Sequence, residues 1–193
     1  MKRIAVFASG SGSNFQAIVD HVKSGKLKAN VMLLVCDKPG AKVVERAEKE
    51  QIPAFVFDPK QYESKEQFEE DILQQLRHYQ VDFIVLAGYM RLIGHTLLDA
   101  FAGRIVNIHP SLLPAFPGKH AIEQALRAGV KITGVTIHYV DEGMDTGPII
   151  AQRAVEISED DDANTLAEKI HKIEHSFYPE TIGKILEKLE VKA

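Results

Sequence analysis

The chain has 193 residues, the size of one ordinary domain. Apolar residues, with Tyr and Cys counted among them, make up 45% and charged residues 26%, which excludes a disordered protein. The formal net charge of −4 comes with no single-sign block large enough to grip a polyanion, so no nucleic acid partner is expected. No apolar run approaches the ~18 residues of a membrane span, so no membrane association is expected. The one cysteine, Cys36, excludes an internal disulfide and fits a reducing, cytoplasmic location.

Short apolar, β-branched runs alternate with amphipathic stretches, a pattern typical of βαβ units around a parallel sheet. Strands are predicted at 3–8, 30–36, 54–57, 82–87 and 104–109. Helices are predicted between them, at 14–24, 41–50, 65–79 and 120–127. The strands are apolar along nearly their whole length, which indicates burial on both faces. We therefore predict an α/β fold with a Rossmann-like, doubly wound and mostly parallel sheet.

The pattern changes after residue 130. Two strand-like runs, 133–140 and 148–157, are joined by a short loop and predict antiparallel strands at the sheet edge. The last element, 165–189, is predicted to be a long helix that Pro179 kinks or splits, because proline lacks a backbone donor. The acidic residues 159–162 are expected to cap this helix rather than to bind a metal. With no repeat or linker, residues 1–193 are predicted to form one domain.

A turn rich in serine and glycine, Ser-Gly-Ser-Gly-Ser-Asn at 9–14, joins the first strand to the first helix. Its glycines let the backbone approach a ligand, and the amides at the helix N-terminus can donate to anionic oxygens. A dinucleotide fingerprint requires a third glycine where this chain has Phe15, and the lysine motif of a nucleotide P-loop is missing. The turn therefore predicts a site for one phosphate monoester, with an ordinary helix cap as the alternative. Asp37 is interpreted as a turn residue rather than as a ribose-binding acid.

Acyl-transfer chemistry is indicated at the end of the fifth strand. Asn107 and His109 lie two residues apart, hence on one side of an extended segment, at the sheet edge where doubly wound folds bind ligands. Asn107 can donate to the oxyanion of a tetrahedral intermediate, and His109 can move protons near neutral pH. The loop 110–118, with three prolines, is typical of a pocket wall. Asp145, on the loop 141–147, can reach the same crevice and orient the imidazole.

Four other histidines are candidates for a functional role beside His109. His120 follows the proline-rich loop, and His138 lies inside a predicted strand. His171 and His175 are four residues apart on the last helix, but neither a third ligand nor a zinc-binding motif accompanies them. We therefore predict no metal site.

Four segments together resemble the phosphoribosylglycinamide formyltransferase family: Gly-Ser-Gly-Ser-Asn at 10–14, Gly-Tyr-Met-Arg-Leu-Ile at 88–93, Asn-Ile-His-Pro-Ser-Leu-Leu-Pro at 107–114, and residues 141–148. The third segment is the most specific, and the likeness covers nearly the whole chain. The resemblance implies direct transfer of a formyl group from 10-formyltetrahydrofolate, a co-substrate, to the amine of glycinamide ribonucleotide in purine (IMP) synthesis. No metal is implied, and a monomer or homodimer is expected.

The resemblance also implies site residues. Gly12, Ser13 and Asn14 would hold the phosphate of the ribonucleotide, and Glu174 would contact the same substrate. Asn107 and protonated His109 would stabilise the oxyanion, with Asp145 keeping the imidazole charged. The folate pocket would be lined by Lys65, Met90, Arg91, Leu92, Ile93, Asn107, Asp141, Glu142, Gly143, Met144 and Asp145.

Some positions differ from the family pattern, and others would be interpreted differently from the residues alone. Lys65 stands where the family has arginine, Cys36-Asp37 where it has Ser-Asn, and Thr146 where it has Gly. Without the resemblance, the apolar side chains at 90, 92 and 93 would be predicted as ordinary core.

Two alternatives remain open at this point. Methionyl-tRNA formyltransferase and formyltetrahydrofolate hydrolase share the Asn, His and Asp arrangement, but each is expected to carry a further domain for which 193 residues leave no room. A non-catalytic phosphate-binding module would need only the turn at 10–14. Turnover with both substrates distinguishes these possibilities.

Overall fold

A computed structural model describes residues 1–191 and contains one seven-stranded sheet with helices on both faces. The strands are β1 Lys2–Phe7, β2 Ala29–Cys36, β3 Ala54–Val56, β4 Phe83–Leu86, β5 Ile105–His109, β6 Ile132–Tyr139 and β7 Ile149–Glu156. The helices are α1 Ser13–Lys23, α2 Lys42–Lys49, α3 Lys65–His78, α4 His95–Ala100, α5 Ala121–Ala128 and α6 Ala163–Val191, with a short 3₁₀ turn at Pro59–Gln61.

The strand order is β3-β2-β1-β4-β5-β6-β7. Strands β1 to β5 pair in parallel, whereas β6 runs antiparallel to both β5 and β7. The predicted α/β class, with a mostly parallel sheet and antiparallel strands near the C-terminus, is confirmed. The chain moves outward from β1 to β3 and then crosses to β4 on the other side of β1, so the strand order reverses between β1 and β4. Ligand crevices of doubly wound sheets lie at this kind of position.

The apolar part of β1, Ile4 to Phe7, follows from helices that cover both faces of the sheet. Ile4 and Val6 belong to one core cluster, which includes α1 and α6 residues. Ala5 and Phe7 belong to the cluster on the other face, with residues of α3 and α4. All four side chains are fully buried, and each large one contributes about 1.5–3 kcal/mol on burial. A strand in this position has no face for polar residues.

Two sequence-based predictions differ from the structure. Helix α4 and the 3₁₀ turn were not predicted, because with 6 and 3 residues they are too short for a helical period to show. The predicted split at Pro179 is wrong, since α6 is a single helix of 29 residues. Pro179 lies among buried neighbours, and the hydroxyl of Tyr178 donates to the carbonyl of Leu86 at 2.7 Å. Packing of this face against the sheet outweighs the loss of one helical hydrogen bond.

The acidic segment before α6 caps the helix, as predicted. The Oδ1 atom of Asp162 accepts a hydrogen bond from the backbone N–H of Thr165 at 2.8 Å. This is the N-cap contact that satisfies an unpaired amide in the first turn. Across the described part of the chain, no helix is both long and apolar enough to cross a membrane.

Candidate active site

A cavity of about 750 Å³ lies at the carboxyl edge of the sheet, where the strand order reverses. Its lining combines the turn after β1, the loop after β4, the end of β5, the loop between β6 and β7, and part of α6. Of the predicted site residues it contains Gly12, Ser13, Asn14, Met90, Arg91, Leu92, Ile93, Asn107, His109, Asp141, Gly143, Met144, Asp145 and Glu174. The fold therefore brings nearly all of them to one space.

Two predicted folate contacts lie outside this lining. Glu142 is largely exposed, and its carboxylate lies 3.8 Å from Nε2 of His95 at the start of α4. Lys65 begins α3, and its aliphatic chain lies beside Gly94, just after the loop that follows β4. Neither side chain borders the cavity.

His109 sits between two acceptors. Its Nδ1 atom lies 3.5 Å from Oδ2 of Asp145, and its Nε2 atom lies 2.9 Å from the carbonyl oxygen of Phe116 in the proline-rich loop. The imidazolium, with a proton on each nitrogen, satisfies both contacts. The same Asp145 oxygen accepts from the backbone N–H of Gly118 at 2.8 Å, which ties the carboxylate to the loop wall. His109 and Asp145 are both largely shielded from solvent, so their interaction is weakly screened.

Antiparallel pairing adds a residue that the sequence analysis did not assign to the site. His138 of β6 stands opposite Asn107 of β5, with its Nε2 atom 3.3 Å from Nδ2 of Asn107 and 3.9 Å from Oδ1 of Asp145. Its Nδ1–H donates to the carbonyl of Tyr139 at 2.8 Å, which leaves Nε2 as the acceptor. Burial lowers the pKa of His138, so the ring is neutral near pH 7. His138 therefore orients the Asn107 amide.

The sequence gives only weak evidence that His138 belongs to the site. The sequence shows a histidine inside a predicted strand, yet the partner of that histidine depends on the register between β5 and β6. Register is set by contacts between distant segments, so the chain order alone does not reveal the pair.

The turn at 10–14 has the local geometry of an anion site. Gly12 precedes α1 with a φ of +75°, and it offers no side-chain acceptor to the amides of the first helical turn. A Cβ at this position would lie 2.5 Å from Cγ2 of Val43, so only glycine fits. Helix α2 holds the turn, since the Val43 N–H donates to Gly10 and the Arg46 guanidinium donates to Ser11. The amides of the first turn are thus free to bind a phosphate.

Glu174 of α6 closes this end of the cavity. It is 5% exposed, and its Oε2 atom accepts a hydrogen bond from Nδ2 of Asn14 at 2.9 Å. Burial raises the pKa of Glu174. The Oδ1 atom of Asn14 is buried and has no hydrogen-bond partner among residues 1–191, so a donor on a ligand would satisfy it.

The remaining candidate histidines differ in whether they line the cavity. His120 and His171 line the cavity, whereas His175 lies one turn further along α6 and outside it. Among residues 1–191, no group of three or more His, Cys, Asp or Glu side chains is arranged to hold a metal ion.

The far wall of the cavity is apolar and open to solvent. Met90 is 70% exposed, Leu92 47% and Met144 51%, whereas Ile93 is buried. The reading of Met90 and Leu92 as ordinary core is therefore wrong, and only Ile93 fits it. Exposed apolar side chains next to polar groups mark a surface that binds a ligand.

The loop 141–147 also lines the cavity, and hydrogen bonds within the loop hold it together. The Oδ1 atom of Asp141 accepts hydrogen bonds from the Gly143 N–H at 3.0 Å and from the Thr146 hydroxyl at 2.6 Å. Asp145 adopts a left-handed conformation with a φ of +56°. The loop thereby turns its carboxylate toward His109.

The fold and the site define a Rossmann-like α/β protein with a glycine-rich turn at the start of α1 and an Asn, His and Asp group suited to acyl transfer. The chain matches the formyl transferase family over residues 2–182, and it belongs to that family.

Individual relatives agree with this membership. The chain is 62% identical to phosphoribosylglycinamide formyltransferase of Bacillus subtilis (strain 168), covering 96% of this chain and 95% of the relative. It is 43% identical to the trifunctional purine biosynthetic protein adenosine-3 of Drosophila melanogaster, covering 96% of this chain and 14% of that longer protein. The crystal structure of phosphoribosylglycinamide formyltransferase from Bacillus halodurans is 64% identical and superposes with a TM-score of 0.95, with 97% of each chain covered. Glycinamide ribonucleotide transformylase 1 from Geobacillus kaustophilus is 66% identical with a TM-score of 0.94, covering 96% of this chain and 99% of that one.

Proposed function

We propose that this protein transfers the formyl group of 10-formyltetrahydrofolate to the amine of glycinamide ribonucleotide, a step of purine synthesis. One observation carries the proposal: the anion-binding turn, the apolar wall and the Asn107, His109 and Asp145 group all line a single cavity of about 750 Å³. A relative of 62% identity with the name phosphoribosylglycinamide formyltransferase supports the choice of substrates.

The two ends of the cavity fit the two substrates. At one end, the first-turn amides of α1 and the Asn14 side chain suit a phosphate monoester and its sugar. At the other, the exposed Met90, Leu92 and Met144 side chains suit a flat pterin ring. The Asn107, His109 and Asp145 group lines the same cavity, so a bound amine and formyl carbon can meet within its reach.

Asn107 serves as the oxyanion donor in this mechanism. When the substrate amine attacks the formyl carbon, negative charge develops on the formyl oxygen. Nδ2 of Asn107 carries two hydrogens, one of which bonds to Nε2 of His138. The second is therefore held in place to donate to the oxyanion, with no reorganisation at the moment of reaction.

His109 is the acid. Its Nε2–H is bonded to the Phe116 carbonyl, so we assign the mobile proton to Nδ1, on the Asp145 side. The Asp145 carboxylate at 3.5 Å stabilises the imidazolium that helps to neutralise the oxyanion and then donates a proton to the departing folate nitrogen. Folate supplies the formyl group, and the proton that the amine loses on forming the amide restores the His109 imidazolium. No covalent enzyme intermediate is required.

Further expectations extend this proposal. We propose that residues 1–193 act as one formyltransferase domain, as a monomer or homodimer, in the cytoplasm. The continuous seven-stranded sheet supports one domain, and the single, buried Cys36 suits a reducing compartment.

A substrate-pair assay tests the function. The purified protein is mixed with 10-formyltetrahydrofolate and glycinamide ribonucleotide, with neither ATP nor metal added, and formylated product and tetrahydrofolate are measured. We expect the two products in equal amounts. Formylation of methionyl-tRNA, or hydrolysis of the folate with glycinamide ribonucleotide untouched, would place the activity elsewhere in the family. Turnover of no formyl donor would leave a phosphate-binding module.

A further inference from the structure

The carboxylate of Asp37, at the end of β2, joins two separate parts of the cavity wall. Its Oδ1 atom accepts a hydrogen bond from the Ser9 hydroxyl at 2.5 Å, and its Oδ2 atom accepts one from Nε of Arg91 at 2.8 Å. The Ser9 oxygen in turn accepts from the backbone N–H of Met90 at 2.9 Å. The Asp37 side chain is only 7% exposed, so both of its bonds are shielded from water. The turn predicted at 37–40 is present, and within it the Asp37 side chain is a buried anchor.

Tyr89 and Ile93 pack against the protein, whereas Met90 and Leu92 of the loop 88–93 are exposed, so polar contacts help to hold the middle of the loop. Met90 and Leu92 project into the cavity mouth and contribute little to holding the loop. On the protein side, Ser9 N–H donates to the Gly88 carbonyl at 3.0 Å. The Arg91 guanidinium lies 5.9 Å from the centre of the Phe68 ring. Hydrogen bonds to an ionised carboxylate are about twice as strong as neutral ones, so Asp37 provides the strongest of these polar anchors.

We propose that Asp37 is a positioning residue that fixes the loop 88–93 as a preformed wall and thereby sets the affinity for the formyl-folate substrate. Asp37 does not line the cavity, so it acts through Arg91 and Met90. A loop that is already ordered loses less conformational freedom when a ligand binds, which favours binding without changing the chemical step. The assignment of the ligand rests on the proposed function.

The variant Asp37→Asn tests this role, because it removes the negative charge at nearly constant shape. We expect KM for 10-formyltetrahydrofolate to rise about tenfold, equivalent to about 1.4 kcal/mol, with kcat and KM for glycinamide ribonucleotide within about twofold of wild type. Hydrogen exchange of the Met90 amide should become about tenfold faster, because its acceptor Ser9 loses a fixed partner.

Asp161→Asn is the matched control. The Asp161 side chain is 6% exposed and paired with Lys169, but it lies before α6 and away from the cavity. We expect this variant to leave KM for the folate and Met90 exchange unchanged. If Asp37→Asn does not fold, Ser9→Ala removes the same link while leaving the charges in place, and it should also raise KM for the folate.

Measurements of binding and exchange distinguish a failure of the positioning role from a failure of the proposed function. Calorimetric affinity for tetrahydrofolate and Met90 exchange are measured on each variant whether or not glycinamide ribonucleotide is formylated. If the wild type binds tetrahydrofolate but formylates no ribonucleotide, the proposed function fails, while a weakened affinity in Asp37→Asn still supports the positioning role. Unchanged Met90 exchange, or faster exchange with unchanged KM and affinity, would overturn it. Parallel losses in kcat and in both KM values would show a general structural role and would also overturn it.

Discussion

Removal of the Asn107 side chain should separate catalysis from folding. In Asn107→Ala the oxyanion loses its amide donor, and loss of one such donor typically lowers kcat by about 10² to 10³. The structure adds a second, smaller effect. Nε2 of His138, buried and 3.3 Å from the Asn107 amide, is left without its donor, which costs about 1–3 kcal/mol of stability. We therefore expect a folded, somewhat less stable protein with severely reduced turnover.

The contact between Asn107 and His138 can be measured with a double-mutant cycle. If His138 acts by orienting the Asn107 amide, His138→Ala should lower kcat in the wild-type background and change it little in Asn107→Ala. Steady-state kinetics gives kcat and both KM values for the four proteins. Urea denaturation gives their free energies of unfolding, and calorimetry shows whether tetrahydrofolate still binds.

Two results would refute this reasoning. A loss of kcat below about tenfold in Asn107→Ala would remove Asn107 from the oxyanion site, as would loss of folate binding with no change in kcat. Additive effects of the two substitutions on kcat would mean that His138 does not act through Asn107.

Three further predictions concern the turn, α6 and the acid. Gly12→Ala should destabilise the protein by about 1–3 kcal/mol and weaken ribonucleotide binding, because the new Cβ would meet Val43 at 2.5 Å in a left-handed conformation. Gly10→Ala, where no atom of residues 1–191 lies within 4 Å of the new Cβ, is its control in urea denaturation. Burial raises the pKa of Glu174 above its usual value of 4.5. Between the unfolded and the folded pKa, the folded state keeps a proton that the unfolded state has released. Stability therefore falls as pH rises through this range up to the folded pKa. Urea denaturation over a pH series should show this loss in the wild type and not in Glu174→Gln. Asp145→Asn should leave the fold intact and lower kcat by about 10² to 10⁴, measured by steady-state kinetics, because the imidazolium loses its counter-charge.

Each of these expectations has a contrary outcome. Equal destabilisation by the alanine at position 12 and at position 10 would contradict the steric argument at Gly12. If stability changes with pH in the same way in wild type and in Glu174→Gln, the Glu174 carboxyl has the same pKa in the folded and unfolded states. A kcat of Asp145→Asn within tenfold of wild type would contradict the electrostatic role of that carboxylate.

The sequence by itself determined the elements that depend on local pattern. The part of β1 from Ile4 to Phe7 is apolar at every position because helices cover both faces of the sheet there, and this pattern is visible in the residues themselves. The turn before α1 was also readable, since a helix that begins after Ser-Gly-Ser-Gly presents amides whatever packs around it. Asn107 and His109 were found because alternate residues of one strand share a side.

Tertiary structure decided which side chains meet across distant segments. His138 joined the site only through the register of β6 on β5, and Asp37 became an anchor only because the loop after β4 passes over it. Met90 and Leu92 look like core residues by composition, yet no element of the described chain covers them, so they remain at the cavity mouth.

The continuity of α6 has the same origin. Pro179 disfavours a helix by local rules, but burial of Tyr178 and Ile182 beside it stabilises a helix that continues past the proline. Local pattern fixes the strands, the turns and the spacing of catalytic side chains, because these depend on neighbours along the chain. The exposure of a side chain, the register of a strand and the partners of a buried polar group depend on contacts between distant segments. These contacts exist only in the folded chain.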